Sequence, residues 1–382
     1  MNKKTTEISD KRSDFRYKEI YNHLRSKSSL GEFPAGSRLP SADSLANTFS
    51  ANRLTVRKAI SHLIAEGLIY TKPAQGTYVV EDLDFVLKTL QKKSILNTSS
   101  VLNVGIVSKV IIADNVGFYH SDILAGIHKG LIENKANMTL LPFHHGESET
   151  VLFSHLSKSK FDAVVYLGPF DTTKLKTMIQ NGPPSVIIDF SVKNSGTDCI
   201  TIDNLNGAKM AIEYLIKLGH KKITIVSGPD EQPATKERLD GIFEAIKENN
   251  LNQGMIHIYK GDFSLQSGYN ITKDILSKNE YPTAIFYMND EMAHGGINAI
   301  KDFSSLNIPE DLSIIGFDNS AHAIMTTPQL TTINVPAMQM GKFAIQRLFA
   351  KMRNGGDYST TMIQMDTKLV IRESTAPPKK AS

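Results

Sequence analysis

From Leu102 to Asp318, short apolar runs alternate with stretches of helical periodicity in two successive series. The first series contains the runs LNVGIV, MTLLPF, AVVYLG and SVIIDF, and the second contains ITIVSG, MIHIYKG, AIFYMN and LSIIGFD. Apolar runs that are rich in β-branched residues, each followed by a helix, are typical of parallel sheets covered on both faces. The sequence therefore predicts an α/β chain with two lobes, each built on a doubly wound parallel sheet.

The length of the chain leaves room for a further domain. At 382 residues it exceeds what one core usually organises, and the alternating pattern accounts only for residues 102–375. Residues 81–101 change from charged to polar and are interpreted as a linker, and residues 376–382 as a polar tail. Residues 1–80 are then a separate domain.

This first segment predicts three helices and a β-hairpin. An amphipathic helix is expected between Phe15 and Lys27, the glycines and prolines of GEFPAGSRLP end it, and Ser41 is a suitable N-cap for a second helix. A third helix is expected from Arg53 with Val56, Ile60, Leu63 and Ile64 on its buried face, and LIYTKP and GTYVV form a hairpin after it. This order is typical of a winged helix-turn-helix, whose second motif helix lies in the DNA major groove.

The positive charge of the chain is concentrated in the same segment. Residues 1–80 contain 13 Lys and Arg against 7 Asp and Glu, whereas residues 81–382 contain 30 against 32. Neutralisation of phosphates is the main sequence-independent source of DNA affinity, so double-stranded operator DNA is the expected partner. Charge alone is equally compatible with a basic surface that only confers solubility.

The stretch GEFPAGSRLPSADSLANTFSANRLTVRKAISHLIAEGLIYTKPAQGTYV resembles the DNA-binding domain of the GntR family of bacterial regulators. The resemblance implies that Arg53, Thr55 and Arg57 contact DNA from the recognition helix. It also implies that Arg38 contacts phosphate and that the wing tip approaches the minor groove. The predicted DNA-binding residues are Arg38, Ser41, Arg53, Thr55, Arg57, Lys58, Gln75 and Gly76.

Two positions depart from the GntR pattern. Asp43 stands where some members carry an arginine that faces DNA, and Ala74-Gln75 replaces the glycine-containing wing tip common in the family. The operator sequence of a GntR-family member is therefore not transferable to this chain.

In the second half, polar residues follow several apolar runs. Asp189 follows SVII, Asn289 and Asp290 follow AIFYM, Asp318 ends SIIGFD, and Arg238 opens a predicted helix. Ligands of open α/β sheets bind at the carboxyl ends of the strands. Carboxylates, an amide and an arginine supply the directional donors and acceptors that sugar hydroxyls require. A sugar-like small molecule is therefore expected there, although the carboxylates could instead cap the following helices.

Five segments of this half resemble the LacI/GalR family of effector-binding domains: IDNLNGAKMAIEYLIKLGHKKITIVSG, RLDGIFEAI, MNDEMAHGGINAI, SIIGFDNS and PQLTTINVPAMQMGKFAIQRL. The resemblance implies a two-lobed domain with the fold of periplasmic sugar-binding proteins. It also implies that carboxylate and amide side chains contact the effector and that Arg238 reaches across a cleft. It also places Phe118 and Tyr119 at the cleft mouth, where they could stack on a sugar ring or simply pack. The predicted effector-binding residues are Phe118, Tyr119, Asp189, Arg238, Asn289, Asp290 and Asp318.

The combination of a GntR-like reader and a LacI-like sensor resembles regulators of the arabinose-repressor type. It implies a repressor of carbohydrate-utilisation genes whose operator affinity is controlled by arabinose or another monosaccharide. Residues 81–101 replace the hinge helix of ordinary LacI relatives. Because a single winged helix has a small footprint on DNA, a homodimer is expected. A cytoplasmic sugar-binding protein and a corepressor-dependent regulator remain alternatives.

Composition and missing motifs narrow the function further. The single cysteine, Cys199, excludes an internal disulfide framework, and the eleven histidines show no metal-ligand spacing with cysteine. Without an apolar signal segment or a run of about 18 apolar residues, a cytoplasmic protein with no membrane contact is expected. The sequence has no phosphate-binding loop, nucleophile elbow or zinc-protease motif. We therefore expect a non-enzyme without catalytic residues, metal or cofactor.

Overall fold

The computed structural model describes residues 17–24, 26–27, 32–72, 75–82, 101–112, 117–143, 148–278, 281–353 and 359–379. The chain divides into two compact units, Met1–Ser99 and Ser100–Ser382. Phe15, Ala74 and residues 83–100 of the predicted linker, which would replace a hinge helix, lie outside the described residues. Each unit is described by itself.

The first unit contains the predicted three helices and hairpin. Helix α1 includes residues 17–24 and 26–27, α2 is Ala42–Thr48 and α3 is Arg53–Ala65. Strands β1 (Ile69–Lys72) and β2 (Gly76–Val79) pair antiparallel, with Ile69 opposite Val79. Ser41 is the N-cap of α2, as predicted, because its hydroxyl accepts a hydrogen bond from the Ser44 amide at 3.1 Å.

The core of the first unit is formed by one side of each helix. The buried apolar residues include Ile20, Leu24, Leu39, Leu45, Val56, Leu63, Leu68 and Val79. The prediction that Ile64 shares the buried face of α3 is wrong, since 41% of Ile64 is exposed. Leu63 already occupies that face, and the next residue along a helix points about 100° away.

The second unit contains two six-stranded sheets. All strand pairs within them are parallel except one pair at the edge of the second sheet. This confirms the predicted α/β architecture of two mainly parallel sheets.

The elements of the first lobe are β3 (Leu102–Ile112), α4 (Phe118–Glu133), β4 (Ala136–Phe143), α5 (Glu149–Lys158), β5 (Ala163–Leu167), α6 (Thr172–Asn181), β6 (Ser185–Ile188) and β7 (Asp198–Ile202). Those of the second lobe are α7 (Asn204–Leu218), β8 (Ile223–Ser227), α8 (Pro233–Glu248), β9 (Ile256–Lys260), α9 (Leu265–Leu276), β10 (Ala284–Tyr287), α10 (Asp290–Phe303), β11 (Ser313–Asp318), α11 (Ala321–Met325) and β12 (Thr331–Asn334). Helix α12 (Ala337–Arg353) and β13 (Met362–Met365) return to the first lobe, and β14 (Lys368–Val370) ends in the second. The strand order is β13-β7-β6-β5-β3-β4 in the first sheet and β14-β12-β11-β10-β8-β9 in the second, where β12 with β14 is the antiparallel pair.

The chain therefore passes between the lobes three times, after β7, after β12 and after β13. Three adjacent strand connections of this kind are a suitable hinge for two rigid lobes. Within the first lobe, α12 packs closely on α4, because Gly126 and Gly341 have no side chains to separate the helix backbones.

The predicted polar tail from residue 376 begins too early. The carbonyl of Ala376 accepts a hydrogen bond from the Ser313 hydroxyl at 3.0 Å, and its amide donates to the same hydroxyl. Lys379 forms an ion pair with Asp311. Residues up to 379 thus pack on the second lobe.

Candidate functional site

A cleft with a volume of about 250 Å³ lies at the carboxyl ends of the strands in the second unit, where the sequence predicts a ligand. The first lobe contributes Gly117, Phe118, Tyr119, His120, Pro169 and Asp189. The second lobe contributes Gln232, Ala234, Arg238, Asp262, Phe263, Ser264, Asn289, Glu291, Asp318, Ser320 and His322. The structure therefore brings together six of the seven predicted effector-binding residues.

Arg238 is the most firmly held charged group of the cleft. It does not open its helix as predicted but lies in the second turn of α8, which begins at Pro233. Its Nε donates to Asn204 Oδ1 at 2.9 Å, its Nη1 donates to the Met288 carbonyl, and its Nη2 lies 3.8 Å from Asp318 Oδ1. The guanidinium also stacks on Phe317 at 3.7 Å from the ring centroid.

These contacts have a geometric consequence. Asn204, Met288, Phe317 and Asp318 all belong to the second lobe, so the described contacts of Arg238 do not reach across the cleft. The guanidinium is a fixed donor group in the wall of the second lobe.

Asp189 is the corresponding acceptor in the first lobe. The Tyr119 hydroxyl donates to Asp189 Oδ1 at 2.6 Å, and His120 Nε2 lies 3.8 Å from Oδ2. Burial, followed by the charge of Asp189, raises the pKa of Tyr119 well above its usual value. Tyr119 is therefore neutral and orients Asp189 through its hydroxyl.

The cleft carries an excess of carboxyl groups over cations. The lining contains four carboxyl groups, those of Asp189, Asp262, Glu291 and Asp318. Among the described lining residues, the guanidinium comes from Arg238. Burial raises the pKa of Asp318, an effect that Arg238 opposes and nearby carboxylates reinforce. Burial also raises the pKa of Glu291. Such a wall repels anions and offers hydrogen-bond acceptors to uncharged polar groups.

Asn289 and Asp290 are adjacent in sequence but differ in position. Asn289 lines the cleft and also caps α10, since its Oδ1 accepts from the Met292 amide at 3.0 Å and its Nδ2 donates to the Phe263 carbonyl at 2.8 Å. Asp290 is fully buried behind the cleft wall, where it accepts from the Ser320 amide at 2.7 Å and the Thr332 hydroxyl at 2.5 Å. Asp290 thus supports the wall and is not part of the described lining.

Several lining residues were not predicted from the sequence. Asp262 and Ser264 follow β9 and Glu291 follows Asp290, so the rule about the ends of strands could have identified them. His322 gave no comparable signal. It lies in α11, with its ring edge-on to Phe118 at a centroid distance of 4.7 Å, and 39% of Phe118 is exposed.

The first unit presents a basic surface on α3 and the hairpin. Arg53, Arg57 and Lys58 are exposed on α3, and Gln75 is exposed at the hairpin turn. Gly76 has φ of +117°, and a Cβ at this position would approach the Arg38 guanidinium to 2.7 Å. Gly76 therefore allows the Arg38 guanidinium to lie against the hairpin.

Two of the predicted DNA-binding residues have local structural roles. The Thr55 amide and hydroxyl both donate to Asn52 Oδ1, at 2.8 and 2.9 Å, and only 8% of Thr55 is exposed. Thr55 thus completes the N-cap of α3, as Ser41 caps α2. Leu54, which was not predicted, is 76% exposed on α3, and an apolar side chain there could contact a thymine methyl group.

Two protein families match the two units. Residues 16–79 match the bacterial regulatory proteins of the gntR family, and residues 212–375 match the periplasmic binding protein-like domain. Catabolite control protein A of Priestia megaterium is 30% identical over 269 residues, which are 70% of this chain and 80% of that protein. The chain belongs to the LacI/GalR family of repressors and carries a GntR-type DNA-binding domain.

Solved structures show the same fold for the LacI/GalR-type unit. A LacI family transcriptional regulator from Enterococcus faecium with bound ribose has a TM-score of 0.65 at 23% identity, over 72% of this chain and 99% of that one. The lac repressor dimer bound to operator and an anti-inducer has a TM-score of 0.64 at 23% identity, over 75% and 98%.

Two further findings concern metal sites and membrane-spanning helices. The described residues contain no group of three or more His, Cys, Asp or Glu side chains placed to hold a metal ion. Within the described ranges, no helix combines the length and the apolar character that crossing a membrane requires.

Proposed function

We propose that this LacI/GalR-type regulator represses carbohydrate-utilisation genes and that it binds a neutral monosaccharide in its cleft. Binding of the sugar lowers the affinity of the protein for operator DNA. The observation that carries the proposal is the arrangement of Asp189 and Arg238. Asp189, which accepts a hydrogen bond from Tyr119, lines the cavity from the first lobe. Arg238, a donor held by Asn204, lines it from the second lobe. A polyhydroxyl ligand satisfies both kinds of group at once, and its loss leaves polar groups unpaired.

The size of the cleft favours a single sugar ring. Its volume of about 250 Å³ lies below the roughly 300–1,000 Å³ that is usual for drug-sized ligands. Phe118 offers an exposed apolar face beside the polar wall, which suits the C–H face of a pyranose or furanose. The ribose bound to the Enterococcus faecium regulator is a ligand of this class.

The charge of the cleft favours an uncharged sugar over a phosphorylated one. Arg238 is already balanced by Asp318, and Asp189, Asp262 and Glu291 add further carboxyl groups. A phosphate group would have to displace or protonate these carboxyl groups, which costs free energy. We therefore assign ligand hydroxyls to Asp189, Arg238, Asn289 and Asp318, and the ring face to Phe118.

We assign DNA contacts to the exposed basic residues of the first unit. Arg53 and Arg57 read base edges in the major groove, Arg38 and Lys58 contact phosphates, and Gln75 and Gly76 form the wing tip. Ser41 and Thr55 act indirectly, because they cap the helices that carry these side chains.

We further propose a homodimer that pairs through the sensor units. Strands β4 and β9 are edges of their sheets and carry exposed apolar side chains at Met138, Leu140 and Ile258. Exposed apolar edge strands are surfaces that a partner usually covers. A dimer would place two winged helices on one pseudo-palindromic operator, in the cytoplasm, and the cleft would act without enzymatic turnover.

The test begins with a thermal shift screen of ribose, arabinose, xylose, glucose, galactose and glucose 6-phosphate, followed by calorimetry of any compound that stabilises the protein. A ligand at 100 times its Kd adds roughly 2.7 kcal/mol to the free energy of unfolding, a readily measured shift. Binding of glucose 6-phosphate but of none of the neutral sugars would contradict the proposal.

A further inference from the structure

Two histidines that the assignments above do not use form a pair at the cleft. His322 of α11 lines the cleft, and its Nδ1 lies 2.7 Å from Nδ1 of His294 on α10. The two rings meet edge to face at a centroid distance of 4.8 Å. His322 also contacts Phe118 of the opposite lobe.

The distance between the two Nδ1 atoms fixes how protons are distributed. Burial lowers the pKa of both histidines, and the charge of Lys301 lowers that of His294 further, so both rings are neutral near pH 7. A hydrogen bond between two Nδ1 atoms then needs one donor and one acceptor. One ring carries its proton on Nδ1, and the other carries it on Nε2.

The pair leaves His322 with a single polar atom for other partners. Because Nδ1 is bonded to His294, only Nε2 of His322 is available to a ligand. Nε2 is a donor when His294 supplies the shared proton and an acceptor when His322 supplies it. His294 therefore holds the ring and determines the hydrogen-bonding character of Nε2.

We propose that His322 is a specificity-determining residue that hydrogen-bonds one hydroxyl of the sugar next to Phe118, and that His294 is its positioning residue. The assignment rests on the proposed function, since it adds a contact to the same cleft. It gives the cleft a polar group directly beside the exposed ring of Phe118. The protein then contacts the face of the sugar ring and a hydroxyl at the adjoining edge. A sugar that lacks this hydroxyl leaves Nε2 unpaired.

The test combines a variant with deoxy sugars. His322→Phe keeps a ring against Phe118 but removes Nε2, and His128→Phe on the exposed side of α4 is the control. Calorimetry is performed with the sugar that binds best among ribose, arabinose, xylose, glucose and galactose, and with each of its single-deoxy derivatives. We expect His322→Phe to bind the parent sugar about 5- to 100-fold more weakly. One deoxy derivative should bind wild type and His322→Phe equally.

The outcomes separate this assignment from the proposed function. Wild-type protein that binds none of these sugars contradicts the proposed function and this assignment with it. Wild-type binding with unchanged affinity in His322→Phe overturns the role of His322 alone. An equal loss of affinity for every deoxy derivative also overturns it, because it shows no specific partner hydroxyl.

The positioning role of His294 has a separate readout. His294→Asn retains an amide group that can bond His322 Nδ1, whereas His294→Ala does not. We expect Asn to retain most of the sugar affinity and Ala to lose about tenfold. ¹⁵N NMR of the histidine rings in wild-type protein should show one Nδ1–H and one Nε2–H tautomer, with a shift of His322 Nε2 on sugar binding. Identical tautomers in the pair, or no shift of Nε2, would overturn the assignment.

Discussion

Asp43 of α2 forms a salt bridge with Nε of Arg53, the first residue of the proposed recognition helix α3. Both side chains are largely exposed. Since the carboxylate contacts Nε, the two Nη groups of Arg53 remain directed elsewhere and can bind a guanine edge. The acidic residue that departs from the GntR pattern thus orients a predicted base contact.

The first prediction concerns this pair. Arg53→Ala should weaken operator binding by about 1–3 kcal/mol, the value of one base contact. Asp43→Asn should raise affinity for unrelated DNA, because it removes a negative charge, and should lower the ratio of specific to non-specific affinity by about two- to fivefold. Anisotropy titrations with an operator selected from random duplexes, and with a scrambled duplex, measure both. Glu19→Gln on α1 makes the same charge change elsewhere, and an equal loss of specificity in that control would refute the role of Asp43.

A second prediction separates sugar binding from stability at Arg238. Arg238→Ala leaves Asp318 buried beside unpaired groups, so we expect a loss of about 3–5 kcal/mol in the free energy of unfolding and no sugar binding. The double variant Arg238→Met with Asp318→Asn should recover part of the stability but none of the binding. Urea unfolding and calorimetry give the two quantities. Normal sugar binding by the double variant would remove Arg238 and Asp318 from the site.

A third prediction follows from Asp290. Burial raises its pKa to about 7, against roughly 3.9 in the unfolded chain. Between about pH 4 and 7 the unfolded state loses this proton while the folded state keeps it. The contribution of Asp290 to the free energy of unfolding is therefore greatest below pH 4, falls as pH rises to 7 and is constant above.

The experiment compares wild type with Asp290→Asn. The amide introduced by this substitution can accept from the Ser320 amide and donate to the Thr332 hydroxyl, so it keeps the geometry without titrating. The variant leaves Arg372 in place, but it removes the charge of Asp290 that raises the pKa of Asp318. The loss of this charge also favours the variant as the pH rises. We expect the difference in stability to shift in favour of the variant between pH 4 and 7. A pH-independent difference would show that Asp290 has an ordinary pKa.

A fourth prediction tests the close packing of α4 on α12. A Cβ at Gly126 would lie 2.0 Å from the Met338 carbonyl oxygen, which is backbone and cannot rotate away. Gly126→Ala should therefore cost about 1–3 kcal/mol of stability, although alanine favours helices. Ala125→Ser, at an exposed position one residue earlier, is the control. Equal stability of wild type and Gly126→Ala in urea would contradict the packing.

Much of the fold could be predicted from the sequence because it depends on short-range patterns. Apolar β-branched runs predicted the strands, and the ends of those strands led to Asp189, Asn289 and Asp318. Such patterns do not show which of two neighbouring residues faces the cleft, as Asn289 and Asp290 illustrate. The start of α8 was also placed too late, since the helix begins at Pro233 and not at Arg238.

What could not be predicted depends on contacts between distant residues. His294 and His322 are 28 positions apart and meet only because α10 and α11 pack together. Thr55 was predicted to face DNA, yet its hydroxyl donates to Asn52 Oδ1 at the N-cap of α3. A sequence pattern does not show whether such a hydroxyl contacts an outside partner or a side chain of the same helix end.

The central claim is that sugar in the cleft and operator on the first unit are thermodynamically coupled. The most direct measurement is an anisotropy titration of full-length protein with its selected operator, with and without a saturating concentration of the sugar identified by calorimetry. We predict a 5- to 150-fold weaker operator affinity with sugar, which corresponds to a coupling of about 1–3 kcal/mol. Tighter operator binding would make the sugar a corepressor, and an unchanged operator affinity at saturating sugar would contradict the account.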